Sequence, residues 1–354
     1  MPATADANQA VIRDHFRGQA GACGRMGSPF TARVCVLLAE RLSSDSALGR
    51  RVLEWQGDPR DDALALRCAG ALNALARSGR APWLAAAYPP SVVEGDALWA
   101  AVEQAIASHD DELARYLDSP PQTNEVRRCS ALLGGALIVA AETGCSIALL
   151  EIGASAGLNT SFDRYRYELG TGTWGPDGGG VVIRSEWRGS LPDLQTILSI
   201  RSRQACDLNP LDPGDEQDRS RMLSYIWPDQ ADRLATTQAA LDLAAKRGWD
   251  VQRADAALWV EARLADLHPA GQARMLIHTI MWQYLPAVTR ARISAAMEAA
   301  GERATAERPI AWLRMEADDQ PHSAGALLTI WPGGTEREIA RADFHGRWVE
   351  WAER

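Results

Sequence analysis

One stretch near the middle of the chain carries the residue types that a ligand-binding turn requires. In LLEIGASAGLNT, residues 149–160, an apolar run ends at an acid and small residues follow. Glycine tolerates a positive φ and lets a ligand approach the backbone, while serine and asparagine add hydrogen-bonding side chains. The expected ligand-facing residues are Glu151, Gly153, Ser155, Gly157 and Asn159. We expect a strand to end here and a helix to begin near Ala156 or Gly157, with its free N–H groups directed at the ligand.

The spacing of the glycines indicates the kind of ligand. The pattern is E-x-G-x-x-x-G, which differs from the G-x-G-x-x-G that binds a dinucleotide pyrophosphate. It resembles the first motif of class I S-adenosylmethionine-dependent methyltransferases, in which the acid and the glycines surround the methionine part of the cofactor. A strand-to-helix turn without any ligand is the alternative interpretation.

Two acids further along the chain fit the same resemblance. Asp207 ends the strand-like run TILSIRSRQACD, and Asp255 ends WDVQRAD. In the methyltransferases that the motif resembles, an acid after the second strand accepts hydrogen bonds from the ribose hydroxyls, and one after the third faces the adenine amino group. The resemblance therefore implies these roles for Asp207 and Asp255. Each could instead cap the following helix.

The segment ARMLIHTIMWQYL, residues 273–285, supplies the candidates for catalysis, which are His278, Gln283 and Tyr284. Methyl transfer is an in-line displacement in which proximity and orientation matter most, and a base is needed only when the acceptor must lose a proton. Histidine titrates near neutral pH and suits that role, although a buried structural histidine is the alternative. The N-P-P-[YFW] signature of amide-directed methyltransferases is absent, which disfavours adenine and glutamine as acceptors.

The segment PQTNEVRR, residues 121–128, precedes the helix that leads into the first strand. In related folds this helix covers the cofactor, so the resemblance implies that Asn124 and Arg127 bind substrate. The alternative is that Thr123 or Asn124 caps the helix and Glu125 belongs to its first turn.

The pattern of apolar residues predicts the elements that position these side chains. Residues 1–120 form helix after helix, with apolar residues spaced three and four apart, and we expect a separate lid or acceptor-recognition domain there. In residues 121–354, strand-like runs alternate with helical ones, which predicts an α/β domain with a mainly parallel sheet. A Gly-rich turn within residues 165–187 predicts an inserted β-hairpin.

Composition narrows the functional classes. The net charge of −9 disfavours nucleic acid as a partner, and we expect a small-molecule acceptor. The six cysteines are scattered without a metal-binding spacing, so no metal is expected and a reducing cytoplasm is favoured. We expect no membrane span, since the longest apolar run, residues 131–141, is about half the needed length. The oligomeric state is not predicted.

Several segments together resemble an uncharacterised bacterial family classed as a domain of unknown function. They are PPQTNEVRR, EIGASAGLNTSFDRYRY, CDLNPLD, HTIMWQYL and WPGGTEREIARADFHGRWVEW, and the resemblance covers most of residues 10–351. It implies a Rossmann-like methyltransferase fold behind a helical N-terminal region. The leading hypothesis is an S-adenosylmethionine-dependent methyltransferase, and the alternatives are a catalytically silent binding protein and a nicotinamide-dependent oxidoreductase.

Overall fold

The structure is a computed structural model that describes residues 2–178, 180–248 and 250–352. Its helices are α1 Pro2–Arg25, α2 Pro29–Arg41, α3 Ala47–Leu53, α4 Leu64–Arg77, α5 Pro82–Ala86, α6 Gly95–Tyr116, α7 Cys129–Thr143, α8 Glu216–Ser224, α9 Ala231–Arg247, α10 Ala256–Leu264 and α11 Ala287–Glu302. Its strands are β1 Ser146–Ile152, β2 Arg166–Leu169, β3 Gly172–Trp174, β4 Val182–Arg188, β5 Ile200–Asp207, β6 Val251–Arg253, β7 Gln272–Thr279, β8 Ile310–Ala317, β9 Ala324–Trp331, β10 Glu336–Ala342 and β11 Trp348–Trp351. Short 3₁₀ helices cover Val126–Arg128, Leu158–Arg164 and Trp282–Tyr284.

The chain divides into two compact units. The first comprises Met1–Thr123 and Glu216–Ala235, and the second comprises Asn124–Asp215 and Thr236–Arg354. The segment 216–235, which the sequence interpretation assigned to the α/β domain, thus belongs to the helical unit.

The first unit is a helical assembly around a core of Leu, Ala, Val and Phe side chains. Helix α2 begins where the sequence supplies a cap: Pro29 occupies its first turn, and the Ser28 hydroxyl accepts a hydrogen bond from the Thr31 amide. Asp229, from the second segment of this unit, accepts hydrogen bonds from the Ser28 hydroxyl and the Phe30 amide. This segment is therefore bonded into the helical unit.

The second unit contains a large mixed sheet flanked by helices. Within the described residues, eleven strands form one sheet in the order β3-β2-β4-β11-β10-β9-β8-β7-β1-β5-β6. Six of its ten neighbouring strand pairs are parallel. The prediction of an α/β fold with a mainly parallel sheet and an N-terminal helical region is confirmed.

Helix α7 packs directly on this sheet because two small residues allow a close approach. A Cβ atom on Gly134 would lie 2.4 Å from the Trp351 ring, and one on Gly135 would lie 2.5 Å from the Leu313 side chain. Eleven of the fifteen residues of α7 are buried. The helix therefore fixes the position of the segment just before it, which carries Asn124 and Arg127.

Two predicted elements differ in the structure. The flanking runs of the expected hairpin, β2 and β4, are parallel neighbours, and the hairpin is the shorter β2–β3 pair, which turns at Gly170. The α-helix expected from residue 156 or 157 is the 3₁₀ helix Leu158–Arg164. The positive φ at Gly157 places the start of the helix at Leu158. A sequence pattern of strand, turn and helix does not by itself distinguish an α-helix from a 3₁₀ helix.

Candidate functional site

The order of the parallel strands marks one place where a ligand can bind. The neighbours β6-β5-β1-β7-β8 run parallel, and the chain proceeds from β1 toward β5 and β6 on one side, then toward β7 and β8 on the other. Such a reversal is a topological switch point, where a crevice opens outside the carboxyl ends of the strands. Here the strand order reverses between β1, which ends at Ile152, and β7, which ends at Thr279.

The turn after β1 has a left-handed backbone conformation at three of its residues. Gly153, Ser155 and Gly157 all have positive φ, with values of 65°, 54° and 69°. Serine adopts this region only at an energetic cost, and such strain is concentrated at functional sites. The turn is held by backbone bonds from Ala154 N to Cys206 O at 3.1 Å and from Leu211 N to Ser155 O at 3.2 Å.

The Asp207 carboxylate stabilises this turn by accepting two backbone hydrogen bonds. One carboxylate oxygen accepts a hydrogen bond from Ser155 N and the other from Asn209 N, each at 2.8 Å. A carboxylate has about four lone-pair sites, so two remain for further donors. Asp207 therefore lies at the site, and part of its capacity is used to hold the turn.

Glu151 is the most unusual ionisable group of the site. Its side chain is 2% exposed, and within the described residues no hydrogen-bond partner reaches its Oε2 atom. Burial raises the pKa of Glu151 to about 8; a hydrogen bond from Asn159 opposes this shift, and the charge of Asp207 adds to it. The carboxyl is thus neutral over much of the pH range in which an ordinary glutamate is ionised.

Three further predicted residues belong to the turn after β1 or bond to it. Ser155 is buried, and its Oγ also has no partner among the described residues. Asn159 is buried and accepts a hydrogen bond from the Cys129 thiol at 3.2 Å. Asn124 Oδ1 accepts a hydrogen bond from Leu158 N at 2.8 Å, which joins the segment before α7 to the turn after β1.

The other residues predicted before α7 have local roles. Neither Thr123 nor Asn124 is the N-cap of the helix that follows it; the N-cap is Glu125, which accepts a hydrogen bond from Arg127 N at 3.1 Å. The backbone of Arg127 lies against Gly346, where a Cβ atom would come within 2.6 Å of the Arg127 carbonyl oxygen. Arg127 itself is half-buried.

His278 is not placed to act as a base. It is fully buried, its Nδ1 lies 2.7 Å from Glu316 Oε1, and its Nε2 accepts a hydrogen bond from Trp312 Nε1 at 3.1 Å. Since Nε2 is the acceptor, the proton of the neutral ring lies on Nδ1 and is donated to Glu316. Both ring nitrogens are therefore occupied, which favours the alternative interpretation of a buried structural histidine over a catalytic one.

The loop after β7 is shaped by Glu316. Its carboxylate accepts hydrogen bonds from Met281 N at 3.0 Å and Trp282 N at 3.2 Å, while Ile280 has a φ of 49°. The Trp282 ring stacks on His278 with centroids 5.0 Å apart. Gln283 and Tyr284, which follow, are exposed, so their side chains are directed to solvent.

Met281 lies over the glycine of the β1 turn. A Cβ atom on Gly153 would lie 2.9 Å from both Cγ and Cε of Met281. Sequence reasoning missed Met281, Trp312 and Glu316. The sequence signal for Glu316 was an acid within an apolar strand, in LRMEA. Its partners lie in β7 and in the loop after it, and the sequence does not show which residues of β7 pair with β8.

Asp255 caps a helix, which is the alternative role that the sequence left open for it. It is the N-cap of α10 and accepts a hydrogen bond from Leu258 N at 3.0 Å. One carboxylate oxygen is used in this way, and Asp255 lies just beyond β6 at the same edge of the sheet as Asp207.

The described residues contain neither a metal-binding cluster nor a membrane-spanning helix. Among the described residues, no group of three or more His, Cys, Asp or Glu side chains is arranged to hold a metal ion. In that same part of the chain, no helix has the length and apolar character needed to cross a membrane.

Comparison with known proteins identifies one family. The model of the family described as "Uncharacterized protein conserved in bacteria (DUF2332)" matches residues 13–351. No curated protein and no solved structure matches the chain.

Proposed function

The chain belongs to this bacterial family, and we propose that it binds S-adenosylmethionine at the switch point between β1 and β7 and transfers the methyl group to a small-molecule acceptor. The strand order supports a ligand at this place, because open α/β sheets bind ligands where the strand order reverses. The E-x-G-x-x-x-G turn supports this cofactor over a dinucleotide.

The observation that carries the proposal is a pair of buried polar atoms that have no partner within the described residues. They are Glu151 Oε2 and Ser155 Oγ, which belong to the end of β1 and the turn after it. Buried polar groups in folded proteins nearly always have hydrogen-bond partners, so two orphans at a switch point favour a ligand that supplies them.

The remaining cofactor contacts follow from the resemblance and from the free lone pairs. Asp207 retains acceptor sites for the ribose hydroxyls, and Asp255 retains an oxygen for the adenine amino group. Gly157 and Asn159 complete the turn beside Glu151. The bound cofactor would supply a methyl group on a sulfonium, which an oriented nucleophile can displace.

The environment of His278 limits which methyl acceptors the site can use. Because both nitrogens of His278 are occupied, we propose an acceptor whose nucleophile does not rely on His278 to remove a proton. The same observation favours a second candidate, a protein that binds the cofactor without turnover. The two candidates differ in whether methyl transfer to any acceptor accompanies binding.

We include a cytoplasmic location in the proposal. All six cysteines are free thiols in the structure, which supports a reducing compartment. Acidic net charge supports a small-molecule acceptor over nucleic acid.

A pair of serine variants tests the site. Ser155→Ala removes the unpaired hydroxyl, and Ser130→Ala removes a buried hydroxyl that already bonds to Ser185. We expect Ser155→Ala to weaken the binding of S-adenosylhomocysteine by about tenfold, the cost of one lost hydrogen bond. Ser130→Ala should leave the affinity unchanged, and equal affinities of all three folded proteins would remove Ser155 from the site.

A further inference from the structure

The side of Gly153 that lacks a side chain faces the loop after β7. The backbone of Gly153 has a φ of 65°, and a Cβ atom there would come within 2.9 Å of Met281. The volume that glycine leaves open is therefore filled by the Met281 side chain. In a turn that binds a ligand through its backbone, this is the volume that the ligand approaches.

The position of Met281 is imposed by its neighbours. Ile280, a β-branched residue, has a φ of 49°, a conformation that persists only when the surroundings hold it. The surroundings here are the Glu316 carboxylate, which accepts hydrogen bonds from Met281 N and Trp282 N, and His278, which donates to the same carboxylate. Trp312 in turn donates to His278 Nε2.

Methionine suits a position that must yield to a ligand. Its side chain is unbranched and flexible, and it fills irregular space without a fixed shape. Met281 is half-buried and packs against the core cluster that includes Ile152 and Leu276. Its backbone is held by Glu316, whereas its unbranched side chain has other rotamers that a ligand could select.

We infer that Met281 is a specificity-determining residue of the switch-point site and that Glu316 is the residue that positions it. Met281 covers Gly153 and must be displaced before a ligand contacts the backbone there, so the loop favours ligands that can displace it. The part of this inference that concerns ligands rests on the proposed function. The observation that Met281 covers Gly153 does not depend on the proposed function.

The first test needs no ligand. Met281→Ala shortens the covering side chain, and Met281→Leu keeps its volume. We expect hydrogen exchange of the Gly153 and Ala154 amides to become faster in Met281→Ala and to stay at the wild-type rate in Met281→Leu. Unchanged exchange in a folded Met281→Ala protein would overturn the inference, whatever the protein binds.

The second test uses S-adenosylhomocysteine as the probe, with adenosine as a smaller comparison. We expect Met281→Ala to tighten binding of S-adenosylhomocysteine by about tenfold, since a few methylene groups in an apolar site change affinity by that order or more. Adenosine should gain less, and Met281→Leu should resemble the wild type. Equal affinity of Met281→Ala and wild type would overturn the role in specificity while leaving the proposed function intact.

The two tests separate this inference from the proposed function. If no variant binds either nucleoside, the proposed function fails, and the exchange rates alone decide whether Met281 covers Gly153. Glu316→Gln keeps the size of the side chain but removes its charge. Faster exchange of the Met281 and Trp282 amides in this variant would support the positioning role, and unchanged exchange would contradict it.

Discussion

At the scale of single residues, Glu151 shows how burial changes the chemistry of a side chain. Its carboxyl lies at the end of a strand that is buried on both faces, so water cannot solvate the ionised form. The raised pKa follows from this position and is absent from the local sequence. The carboxyl can therefore donate a hydrogen bond at a pH where an ordinary glutamate cannot.

The raised pKa predicts how stability depends on pH. Between the usual value of 4.5 and about 8, the folded protein keeps a proton on Glu151 that the unfolded chain releases. Raising the pH through this window therefore favours unfolding, by at most about 1.4 kcal/mol per pH unit, and the effect ends above pH 8.

Urea unfolding of the wild type and of Glu151→Gln at several values from pH 5 to pH 8 measures this effect. Glutamine keeps the shape of the side chain but does not titrate. We expect the free energy of unfolding of the wild type to fall with pH more steeply than that of Glu151→Gln. Parallel pH profiles would contradict the assignment.

Residue-level prediction succeeded where one local pattern was sufficient. The turn has positive φ at Gly153 and Gly157, a conformation that the sequence predicted these glycines would tolerate, whereas the positive φ at Ser155 was not predicted. It did not extend to the surroundings of His278, whose two partners come from the neighbouring strand β8. No spacing within HTIMWQYL shows which residues of β8 lie beside it.

At the scale of elements, the start of α7 and the turn after β1 act as one structure. Asn124 Oδ1 accepts the Leu158 amide, which is the first N–H of the 3₁₀ helix after the turn. The first N–H groups of a helix have no acceptor within the helix and need one from another segment. The sequence placed Asn124 near the site through the resemblance alone, because this hydrogen bond joins residues 34 positions apart.

Substitution of Asn124 tests this connection. Asn124→Ala should lower the free energy of unfolding by about 1–2 kcal/mol, since it leaves a buried amide without its acceptor. Asn124→Asp keeps an acceptor oxygen and should lose less. Chemical denaturation of both variants measures the difference, and an Ala variant as stable as the Asp variant would show that the bond contributes nothing.

At the scale of the whole molecule, the chain folds as two units, one of which is discontinuous. Residues 216–235 leave the α/β unit and join the helices, where Asn73 Nδ2 donates to the carbonyls of Ser224 and Ile226 at 2.8 and 2.9 Å. The sequence pattern showed helices in both regions. It did not show that they belong together, because packing partners distant in the chain leave no periodic signal.

Replacement of Asn73 tests this division. Asn73→Ala should lower the stability of the helical unit by about 1–3 kcal/mol, because two buried carbonyls lose their donor. Hydrogen exchange should therefore rise in α4 and in residues 216–235, while β1 and β7 keep wild-type protection. Asn8→Ala, which removes an exposed bond to Trp55 in the same unit, is the control. Equal increases in both units would contradict the division.

The central claim is that the switch point between β1 and β7 binds S-adenosylmethionine. Calorimetric titration of the wild-type protein with S-adenosylhomocysteine, and separately with NADH, tests it most directly. We expect a Kd for S-adenosylhomocysteine on the order of micromolar, about −8 kcal/mol, and no binding of NADH. Asp207→Lys should abolish this binding. Failure of the folded wild-type protein to bind S-adenosylhomocysteine at millimolar concentration would contradict the claim.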